Sequence, residues 1–199
     1  MGTKDFNTLD VIISRWRLSK VRAFIEKGDS VLDFGCGHQA FFLRSVQPLL
    51  KVGIGLDYDA LNDQLAPNIK ILNKTFVDHL DFSDGFFDKI VILAVVEHLA
   101  FDLRGRLFDE FNRILRPGGK IILTTPTPAA RPLLEFLAFK LKIISSPEIA
   151  DHKHYYSQAD LQSLAAEHRF DFRSYSTFQM GLNCIAVLAK APQPRRSNN

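Results

Sequence analysis

Four residues stand out by type and spacing: Asp33, Gly35 and Gly37 in the run Val31-Leu32-Asp33-Phe34-Gly35-Cys36-Gly37, and Asp57, 20 residues after the second glycine. Two glycines directly after an apolar strand let a ligand come close to the backbone. An acidic side chain at the end of the next strand can accept hydrogen bonds from both hydroxyls of a ribose. The pattern therefore points to a ligand built on a nucleoside, and glycines and Asp57 alone suit a dinucleotide as well as any other adenosine derivative.

Asp33 separates these. A carboxylate two residues before the first glycine would face a dinucleotide's pyrophosphate across a poorly solvated gap and repel it, whereas it would attract a cation. S-adenosylmethionine carries an ammonium and a sulfonium where a dinucleotide carries phosphates, so the acidic strand end favours it electrostatically.

Other groups could do chemistry nearby. Cys36 reads either as a thiol activated at a helix N-terminus or as a small residue in a tight turn, and the second reading needs less. His98 follows Glu97 just beyond an apolar strand, at the strand end where ligands of open α/β sheets bind. It is either a general base for an acceptor hydroxyl or a structural donor to a carbonyl. Asp151-His152-Lys153-His154-Tyr155-Tyr156 packs two histidines and two tyrosines before a capped helix. Metal binding by Asp151 and the histidines lacks an identifiable further ligand; acceptor-side residues and plain surface loop are the remaining readings.

The elements that position these groups follow from periodicity. Leu9, Ile12, Ile13, Trp16, Val21 and Phe24 mark an N-terminal helix ending at Gly28. Strands are expected at Ser30 to Phe34, Lys51 to Leu56, Lys74 to Val77, Lys89 to Val96 and Lys120 to Thr125, with helices over Gln39 to Leu50 and from Leu103 to Leu115. Pro117-Gly118-Gly119 should stop the last helix. This alternation predicts an α/β fold, a doubly wound, mostly parallel sheet. A helix from about Pro132 to Ile144 follows, then a loop and a helix capped by Ser157 with Asp160. The runs Phe170 to Phe178 and Cys184 to Lys190 are so closely linked that only an antiparallel hairpin can join them.

The 132–144 helix carries Leu133, Leu134, Phe136, Leu137, Phe139, Leu141, Ile143 and Ile144 and must be covered by the domain itself, by a second subunit in a homodimer, or by lipid. It could also line a pocket for an apolar acceptor.

At 199 residues, 46% apolar and 24% charged, the chain is expected to form one domain over 1–190, with a helical insertion at about 127–156 and a disordered tail over 191–199. Two cysteines build no disulfide framework, no leader pattern is visible, and no run is long enough to span a bilayer, so a cytoplasmic protein is expected. A formal charge of +3 does not suggest a surface that tracks phosphates.

From about Arg15 to Lys190 the sequence resembles the class I S-adenosylmethionine-dependent methyltransferases. Val31 to Gly37 looks like the family's first motif, Gly53 to Asp59 its acidic second strand, Phe86 to Leu99 its fourth strand, and Leu115 to Thr125 its Arg-Pro-Gly-Gly turn into the fifth. The resemblance implies that Asp33 contacts the methionine ammonium, that Gly35, Cys36 and Gly37 lie against the cofactor, that Asp57 holds the ribose and that Tyr58 covers one adenine face. The family often has Gly-Asp-Ala after its third strand. Here that register reads Thr75-Phe76-Val77, so the adenine is assigned to Phe76 and the Val77 backbone. His98 and His152 are the catalytic candidates on the acceptor side, and His154 and Tyr155 lie in the same stretch.

Strand four ends Ala94-Val95-Val96-Glu97, not in the Asp/Asn-Pro-Pro-aromatic run of amino-methylating nucleic-acid enzymes. The expected acceptor is therefore a small molecule, a lipid or a glycan intermediate, and not nucleic acid. Two rivals remain: a nucleotide-dependent reductase on a related fold, which Asp33 disfavours, and a non-catalytic methyltransferase-like binding protein.

Overall fold

The computed structural model describes residues 16–135 and 153–191. Residues 16–22 are helical (α1). Then come β1 (Asp29–Phe34), α2 (Phe41–Val46), β2 (Leu50–Asp57), β3 (Asp63–Ala66), β4 (Ile69–Asn73) and β5 (Phe87–Leu93). The chain continues through α3 (Phe101–Ile114), β6 (Leu115–Pro126), α4 (Arg131–Glu135), α5 (Gln158–Glu167), β7 (Phe170–Phe178) and β8 (Asn183–Lys190). The strands form one sheet in the order β3-β4-β2-β1-β5-β6-β8-β7. Strands β4, β2, β1, β5 and β6 run parallel; β3, β8 and β7 join antiparallel at the two sides. The expected fold class holds, including the closing hairpin.

Central strands are largely buried and rich in apolar residues because helices cover both faces. Alternate residues sort accordingly. Leu32, Phe34, Ile90, Ile92, Ile121 and Leu123 pack with Leu107, Phe108 and Phe111 of α3 and Leu161 and Leu164 of α5. Val31, Val91 and Ile122 pack with Val21 of α1 and with Phe42, Leu43 and Val46 of α2. Each such side chain contributes about 1.5–3 kcal/mol by leaving water. The α5 start has its full capping box: Ser157 Oγ accepts from the Asp160 amide and the Asp160 carboxylate accepts from the Ser157 amide. A cap of this kind is worth about 1 kcal/mol.

Several expected boundaries move. The strand placed at Lys74–Val77 lies instead at Ile69–Asn73, with β3 as an added antiparallel partner. Ile69 and Ile71 are the residues that face the core, while Val77 is largely exposed. The helix over Gln39–Leu50 is shortened, since Pro48 opens a separate 3-10 turn over Gln47–Leu49. The strand expected to reach Val96 stops at Leu93; Ala94 takes a positive φ of 55° and Val96–His98 form a 3-10 turn. The helix before Pro117 ends at Ile114, and Pro117-Gly118-Gly119 already belong to β6. The expected apolar helix from 132 to 144 is described only as far as Glu135, and the 191–199 tail lies almost wholly outside the described residues.

Candidate functional site

The carboxyl ends of β1 and β2 lie side by side, with Asp33 of β1 in register with Gly55 of β2. After Phe34 the chain must turn sharply away from the sheet, and Gly35 does this at φ 77°. Its lack of a side chain is required: a Cβ there would come within 2.4 Å of Val95 Cγ2. The Gly35 and Cys36 amides both point back to the Leu56 carbonyl, at 2.7 and 3.3 Å. Gly37 also has positive φ, 67°, but a Cβ there would meet nothing within 4 Å, so its outer side is open space beside the turn.

Asp57 ties the two loops together. One carboxylate oxygen accepts from the Gly37 amide and the other from the Asp59 amide, both at 2.9 Å. Each oxygen keeps a further lone pair for a ligand hydroxyl. His38 and Asp59, 3.2 Å apart, form a neighbouring exposed contact across the same loops. Sequence reasoning does not find it.

Asp33 is only 2% exposed. Burial, aided by the Asp57 charge, pushes its carboxyl up to about 8. Among the described residues no cation stands within ion-pair distance to offset that charge. The same burial and the charges of Asp33 and Asp57 push the Cys36 thiol far up, away from the thiolate form.

The remaining expected residues are placed as follows. Tyr58, at 53% exposure, directly follows Asp57 at the end of β2. Phe76 is buried and lies edge-on to Phe34, at 6.5 Å between ring centres; Val77 is exposed beside it. His98 is half-buried in the turn after β5, its amide on the Val95 carbonyl. His152 lies outside the described residues. His154 sits edge-on to Tyr156 and 3.7 Å from Asp160, which ties it to the α5 cap, and Tyr155 lies under the Arg131 guanidinium.

The group that sequence reasoning passes over is Glu97. It is 1% exposed, with Oε2 accepting from Thr125 Oγ1 at 3.1 Å. Burial pushes its carboxyl up to about 7, against the pull of Arg17 and Thr125. The one available signal is a carboxylate closing an otherwise apolar strand run.

A separate cavity of about 380 Å³, lined by Phe24, Lys120, Arg173 and Lys190 among others, lies at the opposite end of β6. It is remote from Asp33, Asp57 and Glu97 and forms no part of their cleft.

Comparison with known proteins decides the family: the model of a methyltransferase domain matches residues 12–175. The chain belongs to the methyltransferase-domain family. Its fold is that of the class I S-adenosylmethionine-dependent methyltransferases, and S-adenosylmethionine is the cofactor this membership implies. A tRNA U34 carboxymethyltransferase from Nautilia profundicola is 31% identical over 121 residues, which are 56% of this chain and 38% of that protein. A Methanosarcina mazei SAM-dependent methyltransferase superposes with a TM-score of 0.65 at 17% identity, covering 87% of this chain and 98% of that one. A Haloferax volcanii chain from a complex of the Trm112 methyltransferase activator with a candidate methyltransferase gives a TM-score of 0.70 at 16% identity, over 89% and 91%. The chain spans about 38% to 43% of the length of the curated relatives it matches.

The residues present fit that cofactor. A buried carboxyl short of a cation suits an ammonium, Asp57 keeps acceptor capacity for ribose hydroxyls, and the open side of Gly37 leaves room for a ligand against the turn.

Proposed function

We propose that this chain is an S-adenosylmethionine-dependent methyltransferase whose acceptor is a small molecule, a lipid or a glycan intermediate. The observation that carries the reading is the pairing of a buried, cation-poor Asp33 with Asp57 across the Gly35–Gly37 turn. A dinucleotide pyrophosphate would bring more negative charge beside Asp33 and Asp57 and no cation to pair with them, so a nucleotide-dependent reductase is disfavoured on the same ground.

In this reading Asp33 holds the methionine ammonium, Gly35, Cys36 and Gly37 border the cofactor, and Asp57 holds the ribose. Tyr58 covers one adenine face, and Phe76 and the Val77 backbone hold the adenine. Bound S-adenosylmethionine supplies a methyl carbon already activated by a sulfonium. The protein's own contribution is alignment, which alone accounts for much of the rate in such a displacement. His98, at the end of β5, and His152 are assigned to the acceptor side. The enzyme is placed in the cytoplasm, in keeping with two free cysteines, Cys36 and Cys184.

Acceptor class rests on the sequence after β5 and on charge. Asp57 and Asp59 stand together at the carboxyl end of β2, a poor surface for a phosphate backbone. The similar tRNA-modifying enzyme makes RNA the competing acceptor. Incubation with methyl-labelled S-adenosylmethionine and fractionated cell extract distinguishes them. Label is expected in the organic or low-molecular-weight fraction; label recovered in RNA would overturn this choice of acceptor.

A further inference from the structure

Unpaired buried polar atoms are rare in a folded core, because each has given up water without a replacement. Among the described residues five side-chain atoms are in that position: Arg17 Nε, Glu97 Oε1, Arg104 Nε, Thr124 Oγ1 and Asn183 Oδ1. They are not scattered. Glu97 follows β5, Thr124 lies near the carboxyl end of β6, and Asn183 pairs with Pro126 at that same end. Arg104 donates to the Tyr156 hydroxyl at 2.8 Å, and that hydroxyl lies 3.4 Å from the Val96 carbonyl. Arg17, on α1, is close enough to Glu97 to hold its carboxyl down. The surplus hydrogen-bonding capacity thus collects where β5 and β6 end, on the side of β1 opposite β2 and the ribose carboxylate Asp57.

Glu97 is the centre of this group. Thr125 Oγ1 fixes Oε2, and the Lys153 amide, 2.8 Å from the Glu97 carbonyl, fixes the main chain. Oε1 is left without a donor. A carboxylate held this firmly, with one oxygen unsatisfied, is costly for the fold and suited to a ligand that brings its own O–H or N–H.

We propose that Glu97 is a catalytic residue that receives the proton of the acceptor's hydroxyl or amine through Oε1. This rests on the methyltransferase reading above and adds the acceptor's chemistry to it: the attacking atom must carry a hydrogen. For a hydroxyl acceptor the O–H bond breaks toward Oε1 and the oxygen pair forms the bond to the methyl carbon. The pair of the broken carbon–sulfur bond stays on sulfur, discharging the sulfonium, and Glu97 later returns the proton to solvent. A carboxyl raised to about 7 by burial is well matched to such a transfer at neutral pH.

The test needs no acceptor. Sinefungin is a cofactor analogue with an amine on the carbon that replaces the methyl-bearing sulfur; S-adenosylhomocysteine lacks that amine. Calorimetric affinities for both are measured on the full chain and on Glu97→Gln. The native protein is expected to prefer sinefungin at least tenfold at pH 8. Glu97→Gln should lose the preference while binding S-adenosylhomocysteine as before. An undiminished preference in the variant overturns the proposal and leaves Glu97 as a structural partner of Arg17 and Thr125.

Should the variant fail to fold, the native preference alone is followed from pH 6 to 8. It should rise several-fold as Glu97 ionises, and a flat ratio overturns the proposal. Asp33 cancels, since both ligands share the ammonium it faces. Burial lowers the Arg17 guanidinium of α1 from its ordinary value while the Glu97 charge raises it, and Tyr156 and Cys184, both raised by burial, stay neutral. His98 on the same turn is controlled with His98→Asn, in which the rise should persist. Failure of S-adenosylhomocysteine to bind the native protein removes the methyltransferase reading itself, and this proposal with it.

Discussion

Asp33→Asn is expected to lower affinity for S-adenosylmethionine by a factor on the order of a hundred, the scale for removing one partner of a buried charge pair. The same substitution should leave the ligand-free protein as stable or more stable. The two effects have one cause. Asp33 is buried beside Asp57, and its carboxyl is raised from 3.8 to about 8. Between those values the unfolded chain gives up the proton and the folded chain keeps it, so the folded state loses stability as pH rises. Asparagine removes that penalty, and the melting temperature at pH 8 to 9 should rise by an amount on the order of a few kcal/mol in stability. Binding has the opposite pH dependence in the native protein. The ammonium pairs only with ionised Asp33, so affinity should climb from pH 6 and peak near 8, where the ligand's own amine, with an ordinary pKa of about 7.7–8.0, begins to lose its proton. Calorimetry across that range on both proteins checks this. A substitution that leaves affinity and its pH dependence unchanged would remove Asp33 from the site.

Asp57→Ala should be comparably severe, by a different route. The carboxylate anchors the Gly37 and Asp59 amides, both at 2.9 Å, and in the proposed reading also receives two ribose hydroxyls. Hydrogen bonds to a charged acceptor are worth about 1.5–3 kcal/mol each. Loss of the ribose contacts and of the loop anchor together should weaken S-adenosylmethionine and S-adenosylhomocysteine alike, by a factor on the order of a hundred. Equal loss for both ligands is the diagnostic feature, since they share the ribose. A variant that discriminates between them would place Asp57 near the methyl group instead.

What the sequence shows of this site depends on how local each part is. Asp33, Gly35 and Gly37 fall within five residues, and their turn is dictated by glycine conformations that few other residues tolerate, so they are legible as a string. Asp57 is legible because one intervening helix sets its distance. The strand near residue 70 is hard to place from sequence because Ile69 and Ile71 are only two core-facing residues in a short run, and its partner β3 has little apolar signal of its own. Phe76, assigned to the adenine from its place after the third strand, also packs edge-on against Phe34, a contact that only the folded sheet brings about. Glu97 is not legible as a special residue at all. Its character comes from Thr125, 28 positions later, and from Arg17, 80 positions earlier, which meet it only once the sheet is assembled. The same holds for the buried pair of Lys89 with Asp29, 3.0 Å apart across β5 and β1.

In the proposed reading the Asp33–Asp57 cleft takes a cationic adenosine derivative and refuses a dinucleotide. Titrating the purified chain at pH 8 with S-adenosylmethionine and, separately, with NADH tests this most directly. Saturable one-to-one binding of S-adenosylmethionine, with no heat from NADH, is the expected result. Tight binding of NADH with no response to S-adenosylmethionine would contradict it.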